Sequence, residues 1–507
     1  MQISIFDPLS YLQELGAVIA TQNSPSTTLV EGVLKNENLN VSRSELLEIP
    51  YSSEKILIVM VKEIHKSNSY YSNAGVLKEQ ESYSRLNQDL FPIKEWDTTF
   101  LILNPIGVFS KDGAKRILSP VNPGSKIYKA RSEILKDFFG FSSEKAGINL
   151  GNLVSGKTSV ILNFSKLLRK HLAILAISGA GKSYTTGVLL EEIIKRPKNL
   201  GRLPIIIIDP HGEYSYLANT DFVKNSLNSL VTVYPGKYFS ISSESITAWQ
   251  IREYSPDFSA VQVRELDRII NQLKKNKSLH SFMDIILEVE NSSILNNRTR
   301  ESLLGWLDGL FRFRIFGSVN FPIIEELLNP GQISIIDLSD IHSLRKKQII
   351  CAYVARKAFE LRRDKKVSPF LLVIEEAHQF CPEQESSISK NIIETIAREG
   401  RKFFAALCLI SQRPVKLSST ALSQCNSHLI MKIKNPYDLD YIGRLSEGID
   451  RDTQNMLPDL EVGEAFLVGE AVNHPILIKI RKKEITGNPY DNNTIENEIL
   501  KYEKQQL

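Results

Sequence analysis

Lys182 and Ser183 follow a loop of small residues, Ser178-Gly179-Ala180-Gly181, within the stretch HLAILAISGAGKSYTTGVLLEEIIK, His171 to Lys195. The apolar run Leu172 to Ile177 predicts a strand, and the amphipathic sequence that opens at Lys182 predicts a helix. A strand, loop and helix of this composition cradle phosphates. The glycines turn backbone N–H groups onto the anion and the helix N-terminus adds its dipole, while the lysine reaches the β and γ phosphates and the serine hydroxyl ligates Mg²⁺. Ser178, Gly179, Ala180, Gly181, Lys182, Ser183 and the adjoining Tyr184 are therefore candidate ATP-binding residues, with Ser183 a Mg²⁺ ligand through the nucleotide.

The pattern G-x-x-x-x-G-K-[ST] is matched in full elsewhere, by Gly151 to Thr158, GNLVSGKT, whereas Ala176 to Ser183, AISGAGKS, lacks the first glycine. Context decides between them. GNLVSGKT follows the polar EKAGI and precedes Ser159-Val160-Ile161-Leu162, a predicted strand, so no helix N-terminus would face a phosphate and the segment reads as a turn. Ala176 matters less, because phosphates are approached most closely by the later residues of the loop.

Three further apolar runs end in residues suited to the same chemistry. Phe370-Leu371-Leu372-Val373-Ile374 is followed by Glu375-Glu376-Ala377-His378, which supplies one carboxylate for the Mg²⁺ side, Glu375, and one to polarise the attacking water, Glu376. Ile205 to Ile208 is followed by Asp209-Pro210-His211-Gly212-Glu213-Tyr214, which puts Asp209 and Glu213 at a carboxyl strand end, near the nucleotide or a subunit boundary. Ala405 to Ile410 is followed by Ser411-Gln412-Arg413-Pro414, where Gln412 is placed to sense the γ-phosphate. Upstream, Arg398-Glu399-Gly400-Arg401-Lys402 follows a predicted helix, and a guanidinium there can stabilise transition-state charge across a subunit interface. Arg401 is preferred to Arg398 because Gly400 frees its backbone, and Arg169, ahead of the phosphate-loop strand, is a second candidate. His211 and His378 have no His or Cys at metal-ligand spacing and read as hydrogen-bonded structural histidines.

These segments need a scaffold, and the chain is long enough for one. Its 507 residues support two or three domains, with 42% hydrophobic and 24% charged residues, as in ordinary soluble proteins. The net charge of +4 does not by itself argue for nucleic acid, since residues 1–150 carry 16 basic against 17 acidic residues and the remainder 46 against 41. Lys274-Lys275-Asn276-Lys277, Arg345-Lys346-Lys347 and Arg481-Lys482-Lys483 read as solvated faces. Four cysteines, Cys351, Cys381, Cys408 and Cys425, share no C-x-x-C spacing, which argues against a metal site or disulfide framework. No run of eighteen apolar residues occurs and MQISIFDPLSYLQ lacks the arrangement of a signal peptide, so cytoplasmic residence without a membrane partner is expected.

The expected fold class is α/β. Residues 1–120 carry short β-rich runs, Ala17 to Ala20, Thr28 to Val30, Lys55 to Val61 and Thr99 to Leu103, that suggest a small barrel or sandwich, with the barrel preferred, interrupted by the polar excursion Lys62 to Glu95. Residues 121–170 read as a linker, Pro120 to Ser125, and a lead-in helix, Ser132 to Phe141. Residues 171–485 repeat continuous apolar runs: Leu172 to Ile177, Pro204 to Ile208, Ile333 to Ile336, Phe370 to Ile374, Ala405 to Ile410 and Leu429 to Ile433. Such runs are the signature of a mostly parallel sheet covered on both faces. A helical insertion spans about 242–330, where Ser255-Pro256 is expected to cap a helix bearing Phe258, Val261, Leu266, Ile269, Ile270 and Leu273 on one face. Residues 486–507 form a polar tail.

Taken together, KHLAILAISGAGKS, IIIIDPHGEY, GQISIIDLSDI, LLVIEEAHQF, IAREGRKFF and LISQRP, in that order, resemble the HerA family of hexameric DNA translocases, relatives of the FtsK pumps among the RecA-like ATPases. The likeness spans about Val121 to Ile480 and looks most like archaeal members. It implies a homo-hexameric ring on double-stranded DNA with ATP and Mg²⁺ at subunit interfaces. It also implies a helicase or translocase that works with a NurA-type nuclease, beside the break-repair nuclease and its coiled-coil ATPase, in resecting double-strand breaks. It assigns phosphate and Mg²⁺ binding to Lys182 and Ser183, water activation to Glu376, sensing to Gln412 and stimulation in trans to Arg401. A DNA or protein pump without strand separation, and a regulatory ATPase scaffold, are the alternatives the residues leave open.

Overall fold

The computed structural model describes residues 12–36, 39–52, 54–68, 97–219, 230–255, 258–276, 281–293, 295–445, 448–485 and 499. The chain forms two compact units, one of residues 1–163 with 471–481 and one of residues 164–470 with 482–507.

The first unit is built on a closed barrel. Its strands are β1 (Glu14–Val18), β2 (Val30–Leu34), β3 (Leu46–Ser52), β4 (Lys55–Asn68), β5 (Asp97–Ser110), β6 (Gly113–Lys115) and β7 (Lys126–Lys129). Sheet order β2-β1-β7-β3-β4-β5, with β2 also pairing with β5, closes six strands on themselves and leaves β6 on the outside of β5. Leu15, Val30, Leu47, Ile49, Leu57, Val59, Leu101, Leu103 and Ile127 fill the interior. The excursion begins as strand, because Lys62 to Asn68 prolongs β4 opposite β5, and residues 69–96 lie outside the described residues. β3 was not legible in sequence because Glu48 and Pro50 interrupt its apolar pattern. The buried Glu48 carboxylate is matched by Arg131, whose Nε donates to it at 2.9 Å. Pro120 to Ser125 runs against the barrel, with Val121 in its core and the Ser125 carbonyl accepting the Val18 N–H. Helix α1 (Ser132–Phe139) buries Phe138 and Phe139, and β8 (Ile148–Leu153) pairs with β9 (Ser159–Leu162) and with a strand at Ile476–Ile480. GNLVSGKT is thus the end of β8, a hairpin turn and the approach to β9, with no helix behind it.

The second unit opens with α2 (Phe164–Leu168), β10 (Leu172–Leu175), α3 (Lys182–Ile194), β11 (Ile205–Asp209) and β12 (Leu230–Pro235). Then come β13 (Ile241–Ser242), α4 (Ala248–Tyr254), α5 (Ala260–Asn276), α6 (Phe282–Asn291), α7 (Asn297–Phe311), β14 (Phe316–Gly317) and α8 (Ile324–Leu327), the helical insertion. The chain returns through β15 (Gln332–Asp337), α9 (Leu344–Arg363), β16 (Phe370–Ile374), α10 (Lys390–Phe403), β17 (Ala405–Ser411), β18 (Ser427–Ile430) and β19 (Glu464–Gly469). The strands lie in the order β12-β15-β11-β16-β17-β10-β18-β19, with every pairing parallel except β18 with β19. All six apolar runs expected in this part are strands of that sheet, and β10, β11, β16, β17 and β18 are buried at every position. This is how parallel strands covered on both faces must read.

The insertion departs from expectation at one helix start. Ser255 closes α4, while α5 begins at Ala260 behind a reciprocal cap in which Ser259 Oγ accepts the Gln262 N–H and Gln262 Oε1 accepts the Ser259 N–H. Phe258, Leu266, Ile269, Ile270 and Leu273 are buried, but Val261 faces solvent and Val263 takes the inward position. Pro256 and the tail to Leu507, apart from residue 499, lie outside the described residues. All four cysteines are buried and free, and among the described residues no helix is long and apolar enough to cross a membrane.

Candidate nucleotide site

The site forms where β10, β11, β16 and β17 end together. In a parallel sheet all carboxyl strand ends face one edge, so the loops after these strands converge although residues as distant in sequence as Ala176 and Ser411 take part. β10 is flanked by β17 and β18, which puts the phosphate loop in the interior of the sheet edge.

Loop residues 176–181 carry the chain from β10 to α3. Gly179 and Gly181 sit at φ +79° and +99°, a left-handed region that side chains with a Cβ resist, and a Cβ on Gly179 would point into open space. Ser178 and Gly179 are exposed, whereas Ala180 and Lys182 are buried. Among the described residues no acceptor faces the N–H groups of Gly179, Gly181, Lys182 and Ser183, which leaves these donors at the positive end of α3 for an anion. Ala176 closes the strand, its N–H donating to the Ser411 carbonyl at 3.2 Å.

Lys182 Nζ lies 2.6 Å from Glu375 Oε1 and 2.6 Å from Glu376 Oε1. Ser183 Oγ donates to Glu213 Oε2. Tyr214, fully enclosed, donates its hydroxyl to Glu375 Oε2 at 3.1 Å. Asp209 organises that third loop from below. Its carboxylate accepts the N–H groups of His211 at 3.2 Å, Gly212 at 2.9 Å and Tyr214 at 2.9 Å, which aims Glu213 and Tyr214 into the site. Burial pushes Asp209 up to about 6. His211 was expected to be a hydrogen-bonded structural histidine; its N–H donates to Asp209, and its ring is exposed.

Charge is unevenly matched here. Burial works against the charge on Lys182, yet Glu375 and Glu376 outweigh it and hold the ammonium above its ordinary value. The ammonium meets two carboxylates, Glu375 and Glu376, while the charge of Glu213 also acts on Glu375, which burial pushes up to about 7. Glu375 Oε1 is buried with the Lys182 ammonium as its partner, and Glu376 Oε2 is buried without a hydrogen bond. A deficit of positive charge beside a serine hydroxyl, with oxygen donors only, fits a hard divalent cation such as Mg²⁺, which binds through one or two carboxylates and substrate phosphates. Among the described residues no cluster of His, Cys, Asp and Glu would hold a metal by itself.

Glu376 sits at φ +48°, a strained left-handed conformation for a residue with a Cβ, seen where a carboxylate must be aimed. His378 Nδ1 lies 3.3 Å from Glu376 Oε2 and 3.1 Å from Ser411 Oγ. Gln412 is half-buried just beyond Ser411. Tyr184 turns away from the loop, its hydroxyl accepting the Lys483 N–H at 2.6 Å. Arg401 and Arg169 are exposed and are not brought to this cluster. Arg401 lies in the last turn of α10 before β17 and Arg169 lies ahead of β10, both at the amino ends of the strands. The interactions of Glu213 with Ser183, Tyr214 with Glu375 and His378 with Ser411 were not legible in sequence. The placement of all three behind apolar strands was the available signal.

Comparison with known proteins bears on this geometry. The family described as Helicase HerA, central domain, matches residues 148–358. "Probable helicase MJECL08" of Methanocaldococcus jannaschii is 30% identical over 406 residues, 72% of this chain and 75% of that protein. "DNA double-strand break repair helicase HerA" of Pyrococcus furiosus is 29% identical over 427 residues, covering 73% of this chain and 75% of its own. The protein of the same name from Sulfolobus acidocaldarius is 27% identical over 461 residues, 86% of this chain and 88% of its own. Among solved structures, VirB4 of Thermoanaerobacter pseudethanolicus superposes with a TM-score of 0.52 at 16% identity over 68% of this chain and 98% of that one, a likeness of fold.

Proposed function

The chain belongs to the HerA helicase family, and on that premise we propose that it is an ATP-driven DNA helicase of double-strand break repair that works as a six-membered ring on duplex DNA and feeds a NurA-type nuclease. The observation that carries the chemical part is the meeting of Lys182, from one strand end, with Glu375 and Glu376, from another, at 2.6 Å each. A binding module needs the lysine. Hydrolysis needs the acids as well.

In this reading the N–H groups of Gly179, Gly181, Lys182 and Ser183 and the ammonium of Lys182 take the triphosphate, which draws the lysine from its carboxylates. Ser183, Glu375 and Glu213 would hold Mg²⁺, which neutralises charge on the β and γ oxygens when bound. Glu376, freed of Lys182, accepts a proton from the attacking water, Gln412 senses the γ-phosphate, and Arg401 of a neighbouring copy stabilises the developing charge.

The test is ATP turnover by the full chain with and without duplex ends, followed by displacement of a labelled strand. Stimulation by ends with displacement supports the helicase. Stimulation without displacement indicates a pump, and unstimulated turnover by an intact assembly indicates a scaffold. Particle mass with and without DNA and nuclease tests the six-fold ring and the partner.

A further inference from the structure

Ser411 stands between two parts of the site that the proposed mechanism leaves unconnected. Its carbonyl accepts the N–H of Ala176, the first residue of the phosphate loop, and its hydroxyl accepts the N–H of Arg413 at 3.0 Å, fixing the turn that contains Gln412. The same hydroxyl meets His378 Nδ1 at 3.1 Å, and that nitrogen also faces Glu376 Oε2 at 3.3 Å. In the tautomer that carries its proton on Nδ1, the ring offers one hydrogen to both oxygens, since an ionised carboxylate has none to give. The two are not equally served: Ser411 takes the hydrogen bond, while Glu376 Oε2 is buried and accepts none. Leaving a buried carboxylate oxygen unpaired is costly, and a small ring movement would move the hydrogen from one acceptor to the other.

We infer that His378 and Ser411 are positioning residues that hold the Glu376 carboxylate in register with the Gln412 turn, so that hydrolysis at one is felt at the other. The inference rests on the reading of Glu376 as the water-activating acid and Gln412 as the sensor. The imidazole need not touch the nucleotide. It faces the one Glu376 oxygen that Lys182 does not engage, ready to donate to it, and Ser411 ties the ring to the end of β17. A histidine that only filled space would show neither the shared nitrogen nor the orphaned acceptor.

The experiment measures ATP turnover of the full chain with duplex ends for H378A, S411A, the double variant and H378N, beside K182A. H378A and S411A should each lower kcat about 10- to 100-fold, the range seen when a group orienting a catalytic residue is lost, with KM for ATP unchanged. The double variant should be no slower than the slower single, because both act through one link. H378N, whose amide can donate from nearly the position of Nδ1, should recover most of the loss. Full turnover by H378A, a rise in KM at constant kcat, or losses that multiply would each overturn the inference. If H378A fails to fold, S411A and H378N carry the test. Turnover by K182A would instead overturn the reading of the site, whereas inactive K182A with fully active H378A and S411A would overturn the link alone.

Discussion

Lowering the pH should weaken the motor unit at one identifiable ring. His171, at the start of β10, is buried. Its Nδ1 accepts the Leu407 N–H at 2.9 Å and its Nε2 donates to the Ala397 carbonyl at 3.0 Å. Protonation would turn Nδ1 into a donor aimed at a donor. Burial accordingly pushes the ring from 6.5 down to about 4. A depressed histidine gives stability that is present in full above the unfolded value of 6.5 and is lost as pH falls toward 4. At pH 5 only the unfolded chain takes up the proton, which costs about 2 kcal/mol at 1.36 kcal/mol per pH unit. Asparagine suits the left-handed backbone here, φ +63°. His171→Asn keeps an acceptor for Leu407 and removes the donor to the Ala397 carbonyl, which stays paired within α10, so it should cost about 0.5–1.5 kcal/mol at pH 7. Its further loss between pH 7 and 5, read by urea unfolding, should then be about 2 kcal/mol smaller than that of the unaltered chain. His428, also pushed down to about 4, titrates in both proteins and cancels from the difference. Hydrogen exchange at the Leu407 amide gives the local readout, its protection relative to the intrinsic rate falling at pH 5 in the unaltered chain. Equal pH dependence of the two proteins would refute the reasoning.

Other outcomes follow from the same geometry. Lys182→Ala should abolish ATP turnover while Lys157→Ala, in the exposed hairpin turn, leaves it nearly intact, as a phosphate-release assay will show; comparable losses would mean that the wrong lysine was chosen. Glu376→Gln should bind ATP normally in a filter assay yet hydrolyse it about 10²- to 10⁴-fold more slowly. Arg401→Ala should lower turnover about 10³-fold or more with ATP affinity preserved. Mixing it with inactive Lys182→Ala chains should restore some activity, which a guanidinium acting within its own chain would not allow.

Much of this was legible because buried parallel strands announce themselves. Ile205 to Ile208 and Phe370 to Ile374 are apolar without interruption, and each ends where polarity begins. What lay outside that signal was missed. β12 is an edge strand with Leu230 exposed and Tyr234 and Pro235 at its end, so its pattern is mixed. β3 carries a buried glutamate whose partner, Arg131, is 83 residues away. In the site, the letters DPHGEY located Asp209 and Glu213 at a strand end, but only the fold shows Asp209 gathering three N–H groups so that Glu213 meets Ser183 and Tyr214 meets Glu375. Side-chain pairing across such separations is set by sheet order, which no local pattern encodes.

Sheet order also explains why one chain is insufficient for the mechanism proposed. Lys182, Glu375 and Glu376 occupy the carboxyl edge of the sheet, whereas Arg401 precedes β17, a seven-residue strand that at about 3.3 Å per residue spans roughly 20 Å. A guanidinium on the amino side of that strand cannot serve its own triphosphate, so if it acts it acts on a neighbour's. The two edges are nevertheless joined within the chain. His171 holds the carbonyl of Ala397, one turn before Arg401 on α10, and the N–H of Leu407 on β17, the strand that ends at Ser411 and Gln412. A Cβ at Gly400 would stand 2.4 Å from the Ala405 carbonyl oxygen and 3.3 Å from the His171 ring, so the glycine lets α10 pack closely against the start of β17. On the proposed reading, a second copy docking at Arg401 would load the strand that His378 and Ser411 link to Glu376. Such an arrangement lets hydrolysis in one subunit depend on the fit of the next without any element crossing between their sites.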